Sequence, residues 1–175
     1  MTGAASGRAG QAGAVRLPED CIFCRIVAGT APCEVVYQDA STLAFMDINP
    51  ANEGHCLVIP KEHFGDIFAM PPAAFAAVAV AVVMVARAVN EVLRPGGLSV
   101  VQANGALAGQ TVPHVHVHIL PRRAADNLLI NWDRGQAGGR DTDPARIAAI
   151  AARLRERLRQ CGPAGVASLS GAAPL

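Results

Sequence analysis

Three histidines stand at alternate positions in the apolar run His114-Val115-His116-Val117-His118-Ile119-Leu120. In a β-strand, side chains alternate faces with period two, so the three imidazoles share one face, about 6.5–7 Å apart. Val115, Val117 and Ile119 then fill the opposite, buried face. Imidazole can act as nucleophile, proton donor or metal ligand near neutral pH. One cation on all three is awkward, because ligands must converge to about 2 Å from an ion and alternate strand residues lie roughly three times farther apart. No Asp or Glu interrupts the run. The pattern therefore favours nucleophilic and proton-donating imidazoles.

The loop before this run contains Gly105, Gly109, Gln110 and Thr111. Glycines let backbone N–H groups approach an anion, and the Thr111 hydroxyl adds a donor. An ordinary tight connection between two strands would read the same way, but the adjoining histidines favour a phosphate cradle. Upstream, Cys21-x-x-Cys24 supplies two of the four ligands of a tetrahedral site. A thioredoxin-like redox pair is the rival reading, although the surrounding βαβ pattern is missing. Free buried thiols are the third, and the reading for Cys33, Cys56 and Cys161.

The elements that must position these groups are short. Residues 34–38, 42–48, 55–59, 98–103 and 112–120 are apolar, β-branched runs bounded by turn residues, which predicts five strands. Residues 67–86 carry no charge, a length approaching a membrane span. Pro71 and Pro72 suit a first helical turn, and Arg87 and Glu91 follow on the same helix. The prediction is a buried helix from near Pro71 to near Leu93, covered on more than one side by the sheet or a second copy. Asp143 and Pro144 open a last helix whose Ile147, Ile150, Ala151, Leu154 and Leu158 repeat at helical spacing. Arg153, Arg155, Arg157 and Arg159 fall mainly off that stripe and read as a solvated basic face. Strands grouped before and after one helix predict an antiparallel α+β layer, with no internal repeat.

The chain has 175 residues, of which 51% are hydrophobic and 17% charged, as expected of one globular domain with a proper core. A formal net charge of +1 argues against nucleic-acid or membrane binding. Residues 1–18 and 163–175 are rich in small residues and read as disordered tails around a domain at 19–162. No signal peptide is recognisable and the five cysteines are an odd number, so the expectation is a reducing cytoplasm.

Taken in order, these motifs resemble those of the histidine triad (HIT) superfamily. They are Cys21-Ile22-Phe23-Cys24, Leu43-Ala44-Phe45-Met46-Asp47-Ile48-Asn49-Pro50, Gly54-His55-Cys56-Leu57-Val58-Ile59-Pro60-Lys61, and Ala108-Gly109-Gln110-Thr111-Val112-Pro113 running into the triad. The similarity covers roughly residues 20–132 and is greatest to the Hint branch and its bacterial relatives. It implies a homodimeric HIT-like fold, a five-stranded antiparallel sheet with a long helix, plus the C-terminal helix. It also implies hydrolysis or transfer of a nucleoside monophosphate, such as AMP from an adenylated amine, through a covalent nucleotidyl-histidine.

The resemblance makes His116 the nucleophile, with its other ring nitrogen held by a backbone carbonyl. His118, Gln110 and Thr111 would bind phosphoryl oxygens or protonate the leaving atom, with Asn104 and Gly109 in the same loop. It places the ribose on Asp47 and the purine among Ile22, Phe23, Phe45, Ile48 and Leu57, although plain core packing accounts for the apolar residues equally well. Relatives with this CxxC complete a structural zinc site with the equivalents of His63 and His114. Ala103 departs from the pattern, standing where relatives often have asparagine, and Asn104 is the candidate to take over its contact. The leaving group stays open: a phosphoramidase, a dinucleoside polyphosphate hydrolase, and a non-catalytic nucleotide-binding module share these residues. A metal-dependent hydrolase with the triplet as ligands is the outlying alternative.

Overall fold

The five β-branched runs form one antiparallel sheet in a computed structural model, which describes residues 20–128 and 143–161. The expected tails at 1–18 and 163–175 lie outside the described residues. The strands are β1 (Val35–Gln38), β2 (Thr42–Met46), β3 (Cys56–Pro60), β4 (Gly97–Gln102) and β5 (Val117–Arg122), ordered β1-β2-β3-β5-β4. Around them lie α1 (Ile22–Val27), α2 (Pro72–Leu93) and α3 (Pro144–Cys161). The predicted α+β architecture is the observed one. The short α1, too brief for an apolar period to show, is an addition.

Strand alternation sorts the apolar residues into two layers. Ala44, Met46, Cys56, Val58, Val117 and Ile119 face α2 and α3, where Val78, Val85, Val89, Ile150 and Leu154 complete the main core. Leu43, Phe45, Leu57 and Ile59 face the other way and meet Cys21, Phe23 and Cys24 of the α1 turn. Leu154 is fully buried; its truncation to alanine would cost about 2–5 kcal/mol. The helix α2 is long and apolar enough to cross a membrane, but one side of it is this core.

Two expectations need correction. The last strand begins at Val117, not near Val112, so His114 and His116 precede it. Its pairing with β3 and β4 stops at Val117 because upstream backbone groups are used elsewhere: the His114 N–H donates to Val112 O at 2.8 Å and the Val115 N–H to Phe64 O at 2.7 Å. Nor do the α3 arginines form a free basic face. Arg153 donates to Val92 O, Arg155 to Val35 O, and Arg157 pairs with Glu91, so three of the four tie α3 to α2 and β1. The Asp143 cap is as expected, its carboxylate accepting the Ala145 N–H at 3.0 Å.

Two features fix the turns beside the site. Gly54 has φ +86°, and a Cβ there would stand 2.1 Å from the Leu93 side chain, so only glycine lets the β2–β3 turn dock on the end of α2. Arg122 grips Asp126 with Nε and Nη2 at 2.7 and 2.9 Å, while Asn52 donates to Asp126 and to Pro121 O. This clamp joins the β2–β3 turn to the end of β5. The Arg122 hydrogen bonds hold the Asp126 carboxyl far below the usual carboxylate range.

Candidate active site and metal centre

All five histidines of the chain gather in one string on the sheet face opposite α2. Ring centroids are 5.0 Å apart for His63 and His114, 4.9 Å for His116 and His118, and 5.1 Å for His118 and His55. The two middle members are bridged by the backbone, with His116 Nδ1 2.7 Å from His114 O.

One end is built for a cation. His114 Nδ1 lies 3.5 Å from Cys21 Sγ and 3.6 Å from Cys24 Sγ, and His63 Nδ1 lies 3.2 Å from both Cys24 Sγ and His114 Nδ1. A tetrahedral ion with bonds of about 2.3 Å to sulfur and 2.0–2.1 Å to nitrogen requires roughly 3.6 Å between S and N and 3.3 Å between two N. The His114 spacings agree with these values, and the 3.2 Å from Cys24 Sγ to His63 Nδ1 is somewhat short of them. His114 Nε2 donates to Pro60 O at 3.0 Å, which directs the Nδ1 lone pair at the cluster. Burial above all, with His63 and His116 adding, lowers His114 to about 4 against the Pro60 hydrogen bond, so the ring is neutral at pH 7. Burial, with Cys21 adding, pushes the Cys24 thiol up to about 12. A thiol pushed that high ionises beside a cation.

The central residue is His116, 3% exposed. The acceptor at His114 O fixes the His116 proton on Nδ1 and leaves the lone pair on Nε2. That tautomer is the one a nucleophile requires. Phe23 packs edge-on against the same ring at 5.3 Å.

The far end is a hydrogen-bond chain. The Ala51 N–H donates to His55 Nδ1 at 3.1 Å, so His55 carries its proton on Nε2. That proton points at His118 Nδ1, 2.8 Å away, which places the proton of His118 on Nε2. Asp47 is beside them, its Oδ2 3.6 Å from His55 Nδ1 and its Oδ1 accepting the Asn49 N–H at 2.8 Å. Asp47, His55 and His118 are close enough to suggest a second metal site. The Ala51 N–H opposes it, because a cation on His55 Nε2 would force the ring proton onto Nδ1, against that donor.

The glycine loop differs from the expected cradle. Gly105 N–H donates to Gln110 Oε1, Gly109 N–H to Ala106 O, and Gln110 N–H to Gly105 O. Gln110 Nε2 donates to Gly65 O and Val112 O. Gln110 therefore holds the loop in shape and, in this conformation, directs no amide hydrogen at a phosphate. Gly109 has φ +87° and serves the turn itself. Asn104 accepts the Ile67 N–H at 2.8 Å and pairs with Gln102, so it braces the short 3-10 turn that precedes α2. Thr111 is an exposed residue three positions before His114.

The five apolar residues expected to line the base pocket divide. Phe23, Phe45 and Leu57 are buried core, whereas Ile22 and Ile48 are 40% and 70% exposed. His55 escaped the sequence reading as a site residue. The signal was present, since it shares strand parity with Leu57 and Ile59, whose face carries the histidines.

Comparison with known proteins agrees with this geometry. A family model described as "HIT domain" matches residues 28–125. "Protein hit" of Bacillus subtilis is 43% identical over 141 residues, covering 80% of this chain and 95% of that protein. "Adenosine 5'-monophosphoramidase hnt1" of Schizosaccharomyces pombe is 42% identical over 113 residues, covering 64% and 82%. A zinc-bound histidine triad family protein from Mycobacterium smegmatis superposes with TM-score 0.69 at 37% identity, covering 83% of this chain and 97% of that one.

Proposed function

Because this chain belongs to the HIT family, we propose that it cleaves purine nucleoside 5′-phosphoramidates through a covalent nucleotidyl-His116. The carrying observation is the 2.7 Å contact from His116 Nδ1 to His114 O, which commits Nε2 to attack. Support for the leaving group comes from the S. pombe relative, named as an adenosine 5'-monophosphoramidase. In the first step a bond forms from Nε2 to the α-phosphorus as the phosphorus–amine bond breaks, the departing nitrogen taking a proton from solvent so that it leaves as a neutral amine. Water then releases the nucleoside monophosphate from His116.

His118 presents an Nε2–H to a phosphoryl oxygen and stabilises its growing charge. Losing that proton outright would leave an imidazolate on a chain whose other protons are already placed by Ala51 and His55. Thr111 adds its hydroxyl, and the half-buried Asp47 takes the ribose hydroxyls.

Zinc is the cation we assign to Cys21, Cys24, His63 and His114. Its support is the ligand spacing and the zinc-bound M. smegmatis relative. Four protein ligands leave no open position, so the ion supplies stability and electrostatic order and does not activate water.

A second copy of the chain is the partner we assign to the outer side of α2. Val80 and Val83 are about half exposed there, and Val100 stands exposed on the edge strand β4, on the same sheet face as Leu98. A cytoplasmic location is also proposed, where Cys33 and Cys56 would stay reduced and Cys21 and Cys24 would stay available as ligands.

The deciding experiment compares kcat/KM for an adenosine 5′-phosphoramidate and a diadenosine polyphosphate on one preparation. A strong preference for the phosphoramidate is expected. Preference for the dinucleotide would reassign the leaving group, and turnover of neither would refute the enzymatic reading.

A further inference from the structure

His114 belongs to two devices at once. Its ring is one of four ligands converging on the metal centre, and its carbonyl holds the nucleophile's Nδ1 proton. The peptide unit that carries this carbonyl is gripped on its other side, where the Val115 N–H donates to Phe64 O at 2.7 Å. Phe64 directly follows His63, a second ligand. A third link runs through the cysteines: Phe23, between Cys21 and Cys24, packs edge-on against His114 at 5.8 Å and against His116 at 5.3 Å. Every ligand is therefore attached, by one residue or fewer, to something that touches His116 or the peptide orienting it.

We propose that the Cys21–Cys24–His63–His114 centre positions the nucleophile: the bound cation, by fixing these four side chains, holds the His114 carbonyl and the Phe23 ring where they orient His116. His114, Phe23 and Phe64 are positioning residues in this scheme. They touch no substrate and act through His116. A cation of zinc's size would suit ligand spacings of the kind seen here, whereas a larger ion would spread the ligands and shift the His114 peptide. The proposal rests on His116 being the nucleophile, but its geometric part is observable without catalysis.

The test uses full-length protein loaded with zinc, cobalt(II) or cadmium(II), or stripped by chelation, with folding followed by circular dichroism. Isotope-labelled histidine reports the His116 Nδ1–H resonance by NMR. Rapid quenching with an adenosine 5′-phosphoramidate reports the rate of nucleotide transfer to His116. Zinc and cobalt forms are expected to share one hydrogen-bonded Nδ1–H resonance and one transfer rate. The cadmium form should shift the resonance, and the stripped form should lose it, with transfer slowed by about tenfold to a hundredfold. His63→Cys, which keeps four ligands, should retain the resonance, and His63→Ala should lose it.

An unchanged resonance and transfer rate in the cadmium form overturn the proposal, even if stripping unfolds the chain. If the zinc form transfers no nucleotide at all, the functional reading fails, while the resonance still decides whether the metal and His116 are coupled.

Discussion

At the metal end of the histidine string, His114 Nδ1 stands 3.2 to 3.6 Å from each of the other three ligand atoms; at the other end, His55 and His118 are joined by a 2.8 Å hydrogen bond. The side chain is the same, and the backbone decides its use. A carbonyl (Pro60 O) beside His114 takes the ring's proton and frees Nδ1 for a cation. An N–H (that of Ala51) beside His55 takes the lone pair and turns the ring into a donor. Between them, His114 O gives His116 the tautomer of a nucleophile. One backbone group per ring thus assigns three roles to one residue type.

The strongest way to break this contrast is to remove its centre. His116→Ala should lower turnover at least about a thousandfold, with nucleotide binding and metal content retained. Steady-state kinetics alongside metal analysis checks it, and loss of metal in this variant would mean that the two ends are not distinct. Stripping the metal end should destabilise the fold by about 4 kcal/mol relative to protein in a thousandfold excess of zinc over its Kd. Thermal melts with and without chelator measure this, and His55→Gln should show the same chelator response as the wild type.

The donor end has a different signature. His118→Ala should reduce kcat by about a hundredfold to a thousandfold, the usual cost of one oxyanion donor. Its metal stoichiometry should stay that of the parent. His55→Ala would leave His118 Nδ1 without its donor and should destabilise the fold by about 1–3 kcal/mol, while His55→Gln, which can still donate, should recover part of the loss. Equal melting temperatures for the two variants would contradict the assigned tautomer chain.

The smallest expected effect lies outside both ends. Asp126 is depressed in the folded chain by its hydrogen bonds from Arg122. The clamp's contribution is therefore complete above the unfolded carboxylate value of about 4 and is lost as pH falls below it through the folded value. Melting temperature measured downward from pH 6 should drop most steeply below pH 4, and Asp126→Asn should flatten that drop.

Much of this was legible in the chain because it is local. Period-two runs located four of the strands within two residues and the last one only at its C-terminal end, and the Pro72–Leu93 helix shows its start in Pro71-Pro72 and its end in Pro95-Gly96. The grouping of the three triad histidines was also legible, although only His118 lies in the strand and the backbone contacts of His114 and Val115 place the other two. What escaped depends on partners far along the chain. His114 leaves the strand because Phe64, fifty residues earlier in sequence, captures the Val115 N–H. Gln110 looked like a phosphate ligand until Gly65 and Val112 occupied its amide. The α3 arginines are solvated as expected, but their acceptors on α2 and β1 were not legible. His55 needed the β3–β5 register, with Leu57 opposite His118, to be seen beside the triad.

The most direct test of the central claim is to trap the covalent state. Protein is mixed with an adenosine 5′-phosphoramidate, quenched within the first turnovers under conditions that preserve phosphorus–imidazole bonds, digested, and mapped by mass spectrometry. The account predicts one adenylyl group per chain, on His116, and none in His116→Ala. An adduct on another residue, or turnover that survives His116→Ala, would contradict it.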